Sequence, residues 1–466
     1  ACLFFERFLN PDRISLPDVD SDFDPQRLSD IYKYITDKYG QDHVARIGTY
    51  GHFAGKSAVR DLARVYGHPP YVGNEIAGRI PDPIYGKNKS MKDIVAEDLT
   101  LVQDYPDIIR DTVKLDGMIK QSGLHACGVI ISTEPIRQFA PIYIRKDDDI
   151  GLPITQWTHD DLEKIGLVKF DLLSIDNLTI IAEALRLIKE TRGLVIDLDT
   201  IPEDNQAAFT LIKSGELDGI FQLEASSGMK GLVTKVQPKS LDELSDILAL
   251  YRPGPIEAGH IAKYIENRES PTPPVGLHPK LVEVLRSTHF VPIYQEQMMK
   301  LAQVLAGYSL AESDLLRHAI GKKKKEEMDK HYDKFIQGLI KYSQFSEYEA
   351  EQLWCELEGW AAYGFNKSHS YSYAVLAYRT AYLKANYPVE FICALLATRC
   401  GSDRERMGNY LKNARSRGID IVGVCINTSQ EKFALGPDNT SVVFGLGGLK
   451  GIGSAASQAI INARGS

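Results

Sequence analysis

At 466 residues the chain is too long for one core and predicts about two to four domains of ~100–200 residues each, with 44% hydrophobic and 25% charged content typical of a globular protein. No run reaches the ~18 apolar residues of a membrane span. Six scattered cysteines, with no C-x-x-C and no nearby His pair, argue against zinc sites and a disulfide framework and fit a reducing cytoplasm. The net charge of −8 disfavours a phosphate-bearing partner unless acidic residues gather at metal sites while basic ones line a channel.

In chain order, Ile14 to Phe23 alternates as a strand with several acidic positions. A helix follows, with Asp24 as N-cap, Pro25 at its first position and Gly40 at its end. Its buried stripe is Leu28, Ile31, Tyr32 and Ile35. From about Gly48 to Ile119 the pattern is mostly helical, interrupted by Pro81-Asp82-Pro83. Strand signals return at Gly128–Ser132 and Leu167–Leu172. After Leu178 helices dominate, including one carrying Met298, Leu301, Ala302 and Leu305 and closed by Gly307. Arg252-Pro253-Gly254-Pro255 and Pro271 to Pro274 break that region. Val442-Val443-Phe444 reads as a strand before the glycine-rich Gly445–Gly453. The chain opens on Ala1 and stops within a helical pattern at Ser466, which predicts a piece of a longer protein.

The segment Pro17-Asp18-Val19-Asp20-Ser21-Asp22-Phe23 carries the most chemistry. On a strand, Asp18, Asp20 and Asp22 point to one face and repel. A divalent cation resolves that conflict, and hard oxygen donors suit Mg²⁺. The competing reading is an edge strand with a solvated acidic face. In Leu167-Val168-Lys169-Phe170-Asp171, Lys169 and Asp171 share the face opposite Val168 and Phe170, as a metal and triphosphate site or as a surface salt bridge. Tyr363-Gly364-Phe365-Asn366-Lys367-Ser368-His369-Ser370 gathers donors ahead of an apolar helix, as a phosphate site at a helix start or as a capped turn. Gly321-Lys322-Lys323-Lys324-Lys325 is a backbone or triphosphate contact, or a solvated face. Gly51-His52-Phe53-Ala54-Gly55-Lys56-Ser57 is rejected as a P-loop, because three residues rather than four separate its glycines.

In order and spacing, these segments resemble the alpha subunits of bacterial DNA polymerase III, the family C replicative polymerases. The resemblance spans essentially the whole chain. It also takes in Phe5-Glu6-Arg7-Phe8-Leu9-Asn10-Pro11, Phe221-Gln222-Leu223-Glu224, Tyr251–Pro255 and Tyr294-Gln295-Glu296-Gln297. The acidic motif is more similar to the branch without a built-in exonuclease. The resemblance implies an α/β palm of the DNA polymerase beta nucleotidyltransferase type with an inserted helical thumb, followed by a large, mainly helical fingers domain. The implied limits are palm 1–49, thumb 50–124, palm 125–174, fingers 175–430, and the start of a helix-hairpin-helix region at 431–466. Leu449-Lys450-Gly451-Ile452-Gly453 and its following helix then hold a DNA phosphate.

Carried over by position, the catalytic and metal-binding carboxylates are Asp18, Asp20 and Asp171, with Asp22 supporting them. Two Mg²⁺ ions are implied, for transfer of a nucleotide from a dNTP to a primer 3′-hydroxyl. Lys169 stabilises transition-state charge, Arg7, Arg13 and His125 serve nucleotide or template, and Arg317, Asn366, Lys367 and His369 serve the triphosphate. Leu124 stands where some relatives have a lysine, and Arg317-His318 where some have paired arginines, so fewer charges or a substitute residue hold the triphosphate. The implied partners are primer–template DNA, dNTPs, and the sliding clamp and other replisome subunits through regions mostly outside this chain, with no membrane. Without the family's upstream Gly-Ser segment the chain is expected to polymerise weakly or not at all. A scaffold that kept the polymerase architecture and a metal-dependent phosphohydrolase are the competing functions.

Overall fold

The computed structural model describes residues 17, 19–83, 88–146, 150–224, 226–270, 272–321, 325–401 and 404–464. Arg7, Arg13 and Asp18 therefore lie outside the described residues, as do Lys322, Lys323 and Lys324 of the basic run. The chain divides into two compact units, one spanning Leu16–Ile175 and one whose described part begins at Asp176. No described helix is long and apolar enough to cross a membrane.

The first unit is built on a mixed sheet. Its described strands are β1 (Val19–Phe23), β2 (Val44–His52), β3 (Ile119–Ile131), β4 (Ile142–Tyr143), β5 (Ile154–Thr155) and β6 (Lys169–Ser174). Their order is β1-β6-β3-β2-β5-β4. β1 runs parallel to β6, while β3 is antiparallel to both β6 and β2. The expected helix runs Leu28–Tyr39 after a 3₁₀ turn over Pro25–Arg27, and the Asp24 carboxylate accepts from the Gln26 N–H at 3.0 Å. Its apolar stripe closes one face of the sheet, with Tyr32 and Ile35 buried beside Val44, Val129 and Leu172.

Two expectations need correction here. Gly48 to His52 is strand rather than helix, because Gly48, Thr49, Tyr50 and Gly51 pair with Leu124 to Gln121 of β3. A ladder of backbone hydrogen bonds to a distant partner overrides the local pattern. Helices begin only at Gly55 and continue to Leu115 around their own core of Val59, Ile76, Met91, Leu101 and Ile109. For the same reason β3 starts at Ile119, well before the expected Gly128.

The described elements of the second unit between Asp176 and Ser416 are helices. Met298, Leu301, Ala302 and Leu305 are buried on the helix Gln295–Ala306, which ends at Gly307 with φ +72°. That left-handed position explains the glycine. Pro253 opens the short helix Pro253–Glu257, and a Cβ on Gly254 would stand 2.2 Å from the Tyr363 ring. The close approach locks the Arg252–Pro255 break against the end of the helix Glu347–Tyr363. A small sheet follows, of β7 (Asp420–Val422), β8 (Ala434–Leu435) and β9 (Ser441–Val443) in the order β7-β9-β8. The helix Ser454–Ala463 then starts from Gly453 without a side-chain cap.

Candidate active site

β1 alternates in exposure, with Asp20 and Asp22 outward and Val19, Ser21 and Phe23 partly buried. Its register sets Asp20 directly beside Asp171 of β6. Neighbouring strands lie about 4.8 Å apart and paired residues share a face, so one cation can reach both carboxylates. Asp171 is only 8% exposed. Its Oδ2 accepts from the Lys169 ammonium at 2.5 Å, whereas its Oδ1 is buried with no hydrogen-bond partner. The Lys169–Asp171 pair is thus a buried element of the site, with side chains 15% and 11% exposed, and not a surface salt bridge.

β3 completes the site through an irregularity. Arg46 pairs with Val129 and Gly48 with Leu124, so five steps on β3 face two on β2. The surplus residues bulge, and bulges re-aim side chains. Here His125 and Cys127 are turned toward Asp171, with ligand atoms of all three within 4.8 Å of one another. The His125 Nδ1 accepts from the Gly128 N–H at 2.8 Å. A Cβ on Gly128 would stand 2.8 Å from that nitrogen, so the missing side chain opposite Asp171 makes room for the ring.

Burial pushes the Asp171 carboxyl up, but the Lys169 ammonium, the Cys127 thiol and His125 outweigh it and hold the group below its usual range. The same surroundings act in reverse on Cys127. Burial first, then the Asp171 charge, raise its thiol above the usual value, and Lys169 only partly offsets this.

A second constellation forms within the second unit. Tyr294 and Phe365 join in an isolated β-bridge, with Gln295 N–H donating to the Phe365 carbonyl at 2.8 Å and Phe365 N–H to the Ile293 carbonyl at 2.9 Å. The Arg252 guanidinium lies 4.4 Å from the centre of the Phe365 ring and donates to the Tyr363 carbonyl at 2.6 Å. Beneath them Tyr294 donates to the buried Asp246 at 2.6 Å and Tyr264 donates to it at 2.8 Å. Tyr251–Pro255, Tyr294–Gln297 and Tyr363–Ser370 are therefore one packed assembly.

Asn366 caps the helix Lys367–Asn386, accepting from Ser368 N–H at 3.0 Å and His369 N–H at 3.4 Å. The Lys367 N–H donates to the buried Glu296 carboxylate at 3.0 Å. A phosphate at this helix start, as the sequence suggests, would thus meet donors already bound to the protein's own acceptors. What remains outward is side-chain chemistry. The Lys367 ammonium lies 3.6 Å from Asp242, and the exposed His369 ring packs tilted against Tyr373 with ring centres 4.2 Å apart. Arg317 is 7% exposed and its guanidinium sits 2.7 Å from the buried Asp314, so an anion reaches it only by exchanging that pair.

The sites so assembled can be matched to known proteins. Residues 1–174 match the family model described as the bacterial DNA polymerase III alpha NTPase domain. Residues 177–343 match that of the bacterial DNA polymerase III alpha subunit finger domain, and residues 418–466 a helix-hairpin-helix motif. The chain is 40% identical over 473 residues to the DNA polymerase III subunit alpha of Thermus aquaticus, covering 99% of this chain and 38% of that protein. To those of Escherichia coli and Aquifex aeolicus it is 38% and 36% identical, again over 99% of this chain and over 40% and 41% of theirs. It spans about two fifths of the length of these relatives. Matched from end to end by their sequences, and over most of its length by two of their domain models, the chain belongs to the bacterial DNA polymerase III alpha-subunit family.

Proposed function

We propose that the chain carries the catalytic centre of a DNA-directed DNA polymerase that joins a dNTP to a primer 3′-hydroxyl during chromosome replication. The observation that supports this most directly is Asp20 in register with the buried Asp171, whose second oxygen is held by Lys169 at 2.5 Å. The sheet of the first unit then serves as palm, the helices Gly55–Leu115 as thumb and the second unit as fingers. The domain limits are proposed as 1–49, 50–124, 125–174, 175–430 and 431–466.

Asp20 and Asp171 offer hard oxygen donors, which fit Mg²⁺. Two such ions, when bound, supply activation of the 3′-hydroxyl and neutralisation of the triphosphate and leaving pyrophosphate. Asp18 and Asp20 would hold both ions, while Asp171 would hold the one at the primer end. Lys169 keeps Asp171 ionised and adds positive charge where negative charge develops. Arg7, Arg13 and His125 are assigned to nucleotide or template, and Lys367, His369, Asn366 and Arg317 to the triphosphate. Primer–template DNA and dNTPs are the proposed substrates, with a sliding clamp and other replisome subunits as partners in the cytoplasm. Since the chain spans about two fifths of its relatives' length, it is proposed to be weakly active or inactive alone.

The test is Mg²⁺-dependent primer extension by the chain extended to its relatives' length, beside Asp20→Asn and Asp171→Asn. Template-directed extension that vanishes in both variants, with DNA binding retained, is expected. Variants that extend normally would refute the assignment, and DNA binding without extension by any of the three would favour a scaffold.

A further inference from the structure

We propose that His125, Cys127 and Asp171 form a second cation site, selective for a thiophilic divalent ion of the Zn²⁺ class, which shares Asp171 with the Mg²⁺ site above. The donor set is one imidazole, one thiol and one carboxylate, with ligand atoms all within 4.8 Å of one another. A sulfur donor gives Mg²⁺ nothing, whereas mixed nitrogen, sulfur and oxygen donors suit Zn²⁺. The spacing agrees. With Zn–S near 2.3 Å and Zn–N near 2.0–2.1 Å, tetrahedral geometry separates sulfur from nitrogen by about 3.6 Å. Cys127 Sγ and His125 Nδ1 are 3.7 Å apart.

An independent observation comes from Asp171. The residue is 8% exposed, Lys169 occupies its Oδ2, and its Oδ1 is buried without a hydrogen-bond partner. A buried carboxylate oxygen left unpaired costs free energy, and a cation satisfies it. The β3 bulge brings the other two donors to the same place. On binding, the Cys127 thiol gives up its proton to solvent and the His125 Nδ1 exchanges the Gly128 and Cys127 N–H bonds it accepts for the metal. Thiolate and carboxylate then balance the double charge, and a water takes the fourth position, as in three-ligand zinc sites.

Because both sites need Asp171, an ion of this class displaces the Mg²⁺ at the primer end and inhibits synthesis. Only this consequence rests on the polymerase reading; binding itself does not. The experiment titrates Zn²⁺ into the 466-residue chain against a chromogenic chelator, with millimolar Mg²⁺ present, and repeats the titration with Cys127→Ala and Cys127→Ser. Co²⁺ replaces Zn²⁺ in a parallel spectrum. Wild type is expected to bind one ion that both variants lose by more than about tenfold in affinity, the loss seen even when a residue that merely orients a ligand is changed. Its Co²⁺ spectrum should carry a thiolate charge-transfer band that the variants lack. The exposed Cys355 and Cys425 contribute equally to all three proteins and cancel. Equal binding by wild type and folded Cys127→Ala, or a Co²⁺ spectrum without the thiolate band, would overturn the proposal. In primer extension by the lengthened chain, Zn²⁺ should inhibit wild type at concentrations that spare Cys127→Ala. If no protein extends primers, the polymerase reading fails while the titration still decides the site.

Discussion

Asp246 offers a prediction whose size follows from its surroundings. It is 2% exposed, and burial raises its carboxyl from 3.8 to about 7 although Tyr294 and Tyr264 donate hydrogen bonds to it. The folded state therefore keeps a proton that the unfolded chain releases near pH 4. Between about pH 4 and 7 the folded state binds more protons, so stability is fully present below that window and declines as pH rises through it. A shift of this size is worth about 4 kcal/mol, at roughly 1.4 kcal/mol per unit. Asp246→Asn keeps the shape and removes the titration. Its stability relative to wild type should climb by up to about 4 kcal/mol from pH 4 to pH 7.5. Denaturant unfolding followed through Trp354 and Trp360, both in the second unit, measures this directly. Groups that titrate in both proteins cancel in the difference. A difference that stays flat across the window, or that favours wild type as pH rises, would refute the reasoning.

Three further outcomes are expected. Lys169→Met removes the ammonium that holds Asp171 down against burial, so the acidic limb of the pH–rate profile for extension should move to higher pH; an unmoved limb would deny Lys169 that role. Arg317→Met removes the guanidinium that pairs with Asp314, which is 1% exposed, and calorimetry should register a loss of about 3–5 kcal/mol, which Asp314→Leu in the same chain recovers. Asn366→Ala leaves two N–H groups of the helix Lys367–Asn386 without their acceptor, costing about 0.5–2 kcal/mol in thermal unfolding, while Asn366→Asp should cost far less.

The sequence by itself determined whatever depends on neighbours along the chain. Asp24, Pro25 and Gly40 punctuate a helix because capping and backbone freedom act within a turn. The alternation through Asp20 and Asp22 marks an exposed face because strand side chains alternate. The stripe from Met298 to Leu305 is buried because helical period lines up apolar residues. Tertiary structure decided what joins distant backbone. Asp20 meets Asp171 only because β1 and β6 pair, and no local pattern names a strand's partner. His125 and Cys127 reach Asp171 only through a bulge whose register is visible from β2. Cysteine spacing therefore gave no sign that folding gathers a sulfur, a nitrogen and an oxygen in one place. Glu296 takes the Lys367 N–H from across the Tyr294–Phe365 bridge, so a helix start that reads as an anion seat already holds a carboxylate. Periodicity and capping are short-range and written in the chain, whereas pairing, bulges and buried charge depend on which groups the completed fold brings within hydrogen-bonding distance.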